Sequence, residues 1–134
     1  MILPLRRLVF PLLCCLSGLG QADVAVIVHP DSGASLTPAQ VASVYLGLDR
    51  SMTPVDLRQW GDTRTHFYHQ LIRKNEAQLK SHWAALIFTG KGRPPQGVPD
   101  ESAMLDRIAT DPRAIGYVDR ERVDDRVHVL FVVP

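Results

Sequence analysis

The chain of 134 residues sets 15 Lys and Arg against 14 Asp and Glu, a formal net charge of +1, with 46% hydrophobic residues. A chain of this length holds a single modest core, and near-neutrality without a basic stripe excludes a nucleic-acid binder that works by phosphate neutralisation. Both cysteines, Cys14 and Cys15, sit side by side near the N-terminus, so the rest of the chain has no thiol for a disulfide, a zinc thiolate or a nucleophile.

In chain order, Met1–Arg7 carries two positive charges, Leu8–Leu19 is an apolar run, and Gly20-Gln21-Ala22 closes with small residues. This is the pattern of a secretory signal cut after Ala22, with an apolar run too short to span a bilayer as a helix. A lipoprotein anchor at Cys14 or Cys15 is the rival reading, disfavoured by the leucine, proline or cysteine that precedes them. The expected organisation is a signal peptide over 1–22 and one domain over 23–134. Without Arg6 and Arg7, 13 Lys and Arg face 14 Asp and Glu, a net charge of −1.

Val24–His29, "VAVIVH", has no polar alternation and predicts a strand covered on both faces. Thr37-Pro38-Ala39-Gln40 reads as N-cap, N1 proline and capping-box glutamine, opening a helix through Val41, Val44 and Tyr45 that stops at Gly47. "TPVDLRQ" is a second, weaker strand candidate. From Thr63 the period becomes helical, with Phe67, Leu71 and Ile72 on one face; Leu79, Trp83, Leu86 and Ile87 repeat this in the next segment, and these two helices are expected to supply the bulk of the core. The Gly- and Pro-rich stretch Thr89–Pro99 predicts a loop. Asp100 caps a further helix with Met104, Leu105 and Ile108 inward, ended by Asp111-Pro112. "AIGYVD" and "RVHVLFVV" complete the strands. Strands alternating with helices predict an α/β three-layer sandwich, its largely parallel central sheet covered by helices on both faces.

The segment "LRQWGDTRTHF", Leu57–Phe67, places two arginines and small polar residues where a strand hands over to a helix, a composition suited to an anion cradle. The same letters also make an ordinary helix start capped by Asp62 or Thr63. Asp62, His66 and His69 fall at i, i+4 and i+7 as a metal trio could, although paired helical histidines are more commonly solvated surface. Lys91 and Arg93 lie in a glycine loop that lacks a P-loop ending, and read as a solvated connection or as a contact for a ligand or partner. No acid–base pair, Ser-His-Asp order or cysteine nucleophile stands out, so no catalytic residue, metal ligand or cofactor is expected.

"SLTPAQVASVYLG" (Ser35–Gly47), "VDLRQWGDTRTHFYHQL", "WAALIFTGKG" (Trp83–Gly92) and "RAIGYVD" (Arg113–Asp119) resemble, in that order, the second lobe of phosphate-type periplasmic solute-binding proteins of ABC transporters. The resemblance implies a type 2 periplasmic-binding fold, a periplasmic location and descent from proteins that grip a tetrahedral oxyanion without chemistry. It covers about one lobe of a two-lobed clamshell. In the family an arginine precedes a Ser-Gly-Thr turn; anchored on Phe67, those turn positions here read Gly61, Asp62 and Thr63, with Arg58 one residue nearer than expected. The resemblance thus implies Arg58, Thr63 and Arg64 as anion contacts, opposed by the Asp62 carboxylate.

The expected function is an exported solute-binding-like module that takes phosphate or a related oxyanion weakly. The alternative is a periplasmic adaptor or sensory interaction domain without its own ligand. Expected partners are inorganic phosphate or a similar oxyanion and an inner-membrane transporter, receptor or envelope protein, with no nucleic acid. Mass spectrometry of the exported protein should show Asp23 as its N-terminus without lipid; an acylated Cys14 or Cys15 would overturn the signal-peptide reading.

Overall fold

The computed structural model describes residues 23–134, and the expected signal segment 1–22 lies outside the described residues. Five strands, β1 (Val24–Val28), β2 (Thr53–Leu57), β3 (Gln96–Val98), β4 (Ala114–Asp119) and β5 (His128–Val133), form one sheet in the order β3-β2-β4-β1-β5. Strand β2 runs parallel to β3 and β4, whereas β1 is antiparallel to β4 and β5. Four strands therefore point one way and β1 alone runs against them, which makes the sheet mixed but largely parallel. Every residue of β1 is buried, as its unbroken apolar run predicts.

Helices cover both faces. Helix α1 (Pro38–Tyr45) starts on the expected capping box: Thr37 Oγ1 accepts from the Gln40 amide at 3.2 Å and Gln40 Oε1 accepts from the Thr37 amide at 2.9 Å. Helix α2 (Asp62–Phe67) runs on into a π-helical turn, Tyr68–Ile72, which Arg73 closes in the left-handed conformation. Helix α3 (Glu76–Phe88) is capped by Asn75, and α4 (Glu101–Thr110) by Asp100. Alternation along β4 assigns the faces: Gly116 meets α4, whereas Tyr117 stacks on Phe67 of α2 at 3.9 Å between ring centroids. A Cβ at position 116 would lie 2.6 Å from Met104 Sδ and 2.9 Å from Ile108 Cδ1, so glycine is what lets α4 lie directly on the strand.

Two sequence expectations are corrected. Gln96–Val98 lies inside the stretch expected to be loop, yet pairs with Val55–Leu57 as an edge strand; tertiary pairing overrides the weak strand propensity of glycine. Helix α3 buries Leu79 and Trp83, but Ile87 and Phe88 point outward. The interior is dominated instead by β1, β4 and an aromatic cluster of Tyr45, Phe67, Tyr68 and Tyr117, with α2 and its π turn supplying Phe67 and Tyr68.

All three tyrosines of the chain are in that cluster and fully buried. Burial, reinforced by the charge of Asp56, lifts each phenol well above its usual 10.0. An unfolded chain sheds its phenolic protons near pH 10 while the folded one keeps them, so their contribution to stability is complete below that pH and falls as pH rises beyond it. An alkaline titration followed by phenolate absorbance and circular dichroism should therefore show no tyrosine ionising ahead of cooperative unfolding. A tyrosine that titrates normally with the fold intact would contradict this packing.

Candidate functional site

In an open α/β sheet, a ligand crevice lies beyond the carboxyl ends of the parallel strands, at the N-termini of the helices that follow. Here β2 leads through Arg58–Gly61 into α2, and β3 leads through Pro99–Asp100 into α4. Between these two helix starts opens a cavity of about 370 Å3 lined by Leu57, Gln59, Gly61–Arg64, Pro99–Ser102 and Arg122.

The α2 side of the cavity is not capped as expected. The N-cap is Gly61 in extended conformation, and no side chain accepts from the first turn. Neither Asp62 nor Thr63 turns back to cap, because they lie inside the helix, one and two residues past the half-in flanking position. The first intrahelical donor is the Thr65 amide, which reaches Gly61 O at 3.0 Å. The amides of Asp62, Thr63 and Arg64 are the orphan donors of a helix start, and these residues line the cavity.

The α4 side carries negative charge that is partly satisfied. Asp100 Oδ1 caps α4 by accepting from the Ala103 amide at 2.8 Å. Glu101 Oε1 accepts from the Asp119 amide at 2.6 Å, and its Oε2 lies 3.6 Å from Arg122 Nε. Asp62 is exposed and has no ion pair or side-chain hydrogen bond among the described residues.

Beneath the cavity lies a residue that the sequence reading passed over. Asp56, 4% exposed, is the one buried charged residue among those described. Tyr117 Oη donates to its Oδ1 in a very short hydrogen bond, and Tyr68 Oη donates to Oδ2 at 2.6 Å. The Leu57 amide donates to Oδ1 at 2.9 Å and Arg64 Nη2 to Oδ2 at 3.2 Å. Burial pushes the Asp56 carboxyl up from its usual range, and the tyrosine hydroxyls and Arg64 hold that rise back. The available signal was a lone aspartate between the apolar Val55 and Leu57; its side-chain partners come from α2, the π turn that follows it and β4.

Each predicted site residue can now be placed. Thr63 and Arg64 are together on the cavity wall. The Arg64 guanidinium, besides binding Asp56, donates through Nη1 to Arg58 O at 3.0 Å and lies 4.2 Å from the Trp60 ring centroid. Its Nε is buried without a hydrogen-bond partner among the described residues. The Arg58 side chain is elsewhere: its Nε donates to Gly97 O at 3.1 Å, over the outer edge of β3, and it does not line the cavity. Gly97 accommodates it, since a Cβ there would meet Arg58 Cγ at 2.6 Å. His66 Nε2 lies 3.3 Å from Val133 O and 3.0 Å from Pro134 O, close to the C-terminal strand, rather than in a cluster with Asp62 and His69.

Replacing Asp56 with Ala should cost roughly 3–5 kcal/mol, because Arg64 and two hydroxyls lose a buried partner. Replacing Tyr117 with Phe should cost only about 1–2 kcal/mol, since Asp56 keeps its remaining donors. Urea unfolding of the two variants checks the ranking; equal costs would show that the carboxylate is not the centre of this network.

Comparison with solved structures establishes the fold. An ABC-type phosphate transport receptor from Vibrio cholerae aligns with a TM-score of 0.64 at 16% identity, covering 82% of this chain and 46% of the receptor. A putative phosphate ABC transporter substrate-binding protein from Clostridium perfringens, solved with bound phosphate, gives 0.62 at 18% identity, covering 81% of this chain and 45% of its own. PstS from Borrelia burgdorferi gives 0.59 at 13%, covering 81% and 47%. No family model and no curated protein matches the sequence. The chain spans slightly under half the length of these structures and has the fold of a single periplasmic-binding-protein lobe.

Proposed function

We propose that residues 23–134 form an exported, periplasmic solute-binding-like module that takes phosphate or a related oxyanion weakly at the cavity between α2 and α4. The observation that carries this reading is the uncapped start of α2, whose first-turn amides belong to residues on the cavity wall. Oriented amides at a helix start attract anions. The Thr63 hydroxyl adds a donor on the same wall, and the Arg64 guanidinium, held by Asp56 and the Arg58 carbonyl, adds positive charge beside it. Structural neighbours that are a phosphate transport receptor and a phosphate-bound substrate-binding protein support the same ligand class and a role without catalysis.

The geometry also supports weak rather than tight binding in this reading. One lobe leaves the anion partly hydrated, and the Arg64 guanidinium is already shared with Asp56. The Asp62, Asp100 and Glu101 carboxylates line the same cavity. Arg58 joins the contacts only if its guanidinium leaves the Gly97 carbonyl.

Calorimetry with phosphate and with sulfate should give affinities in the micromolar-to-millimolar range, about −8 to −4 kcal/mol. Asp62→Ser should tighten binding by roughly fivefold or more through loss of a close like charge, and Thr63→Val should weaken it, while Arg58→Ala reports whether that side chain takes part. Nanomolar affinity in the monomer would refute the single-lobe argument. If the wild type binds neither anion, the alternative takes over: an exported adaptor or sensory interaction domain, with a transporter, receptor or envelope protein as its partner.

A further inference from the structure

The other end of the sheet carries a second concavity. Whereas the anion cavity lies beyond the carboxyl ends of β2 and β3, a groove of about 1120 Å3 lies at their N-terminal ends, beside Thr53 and Gln96. At about 3.3 Å per residue the five residues of β2 separate the two by roughly 15 Å. The groove exceeds the roughly 300–1,000 Å3 of sites built for small molecules. Trp83, 7% exposed, contributes to its lining from α3, and Pro94-Pro95 lines it from the loop that follows.

Apolar exposure and charge mark it as a docking surface. The exposed large apolar residues among those described are Leu48, Ile87 and Phe88, at 68%, 55% and 92% exposure. Ile87 lines the groove, and Leu48 and Phe88 immediately neighbour lining residues in sequence. Ile87 thus sets exposed apolar surface in the groove beside the recessed Trp83 and Pro94-Pro95, and exposed apolar surface rimmed by polar residues is suited to an interaction site. The charges around it are net positive: Arg50 and Arg93 line it against Asp49, and Lys91 lies in the same loop. The lone carboxylate of the lining, Asp49, already accepts from the Ser51 amide at 2.8 Å. Arg50 Nη2 also donates to Lys91 O at 3.2 Å, tying the Gly- and Pro-rich loop to the segment after α1.

We infer that this groove docks an acidic segment of a partner protein that carries an apolar anchor. The anchor meets Ile87 and the recessed Trp83, and the acidic residues meet Arg50 and Arg93. A membrane fits less well, because Trp83 is recessed in a concave wall and does not project into an interface. A second copy of this chain fits less well too, because a two-fold contact would bring two copies of the same net-positive lining together.

The test is selection of short random peptides displayed on phage against the purified chain, followed by fluorescence polarisation with the synthetic winners. Winners should pair Asp or Glu with Leu, Phe or Trp and should weaken as salt rises. Their affinity should fall by about tenfold or more with Arg93→Glu, and also with Ile87→Ser. Both substitutions are at exposed positions, so circular dichroism should show an unchanged fold, and Thr63→Val, at the opposite end of the sheet, should leave peptide binding unaltered. The inference is overturned if selection yields no winners, if winners are basic or uncharged, or if Arg93→Glu has no effect. It is equally overturned if phosphatidylglycerol vesicles bind the chain and Ile87→Ser abolishes that binding, or if sedimentation shows a dimer that Ile87→Ser dissolves.

Discussion

A carboxylate at the centre of the fold organises the elements around it. Asp56 on β2 receives hydroxyl donors from Tyr117 on β4 and Tyr68 on the π turn, and a guanidinium donor from Arg64 on α2. A buried charge is tolerable only when such partners replace its water, and here the partners join one strand to its neighbour and to the helices above. The aromatic rings that bring those hydroxyls inward are also the packing core: Tyr117 stacks on Phe67, and Tyr45 sits edge-on to both while donating to the Val55 and Ile115 carbonyls at 2.8 and 3.1 Å.

This arrangement ties the interior to the cavity above it. Arg64 belongs to both, with its guanidinium directed down to Asp56 and its backbone in the first turn of α2. An arginine used in this way is a structural counter-charge first, and the donors left to an anion are chiefly backbone amides and the Thr63 hydroxyl. Arg58 is likewise diverted, to the outer edge of β3, where its guanidinium covers a carbonyl of an edge strand. Amide donors held by a helix are oriented without side-chain ordering, but they carry partial charges only.

The polarity of the sheet separates two kinds of surface. Because β2 and β3 run parallel, both of their carboxyl ends open on the polar cavity and both of their starts border the basic, apolar groove. The packed interior lies between them.

Elements set by local chemistry were legible in the sequence: the capping box at Thr37 and Gln40, the Asp100 cap, and the apolar runs of β1 and β4, which are covered on both faces, whereas the equally apolar run of β5 lies half-buried at the sheet edge. The candidate site was legible as a location, since a strand-to-helix handover with small polar residues needs only neighbouring letters to recognise. What each side chain does there was not. The periodicity of α3 could not say that Ile87 faces outward, Gly97 could not reveal its pairing with Asp56, and β1 carried no mark of its antiparallel direction. The sequence by itself determined which segments must be buried and where helices begin, because burial and capping are decided over a few residues. Only the tertiary structure decided that Arg64 serves Asp56 and Arg58 serves Gly97, because a charge takes the nearest unsatisfied acceptor in space, and those acceptors are supplied by other parts of the chain.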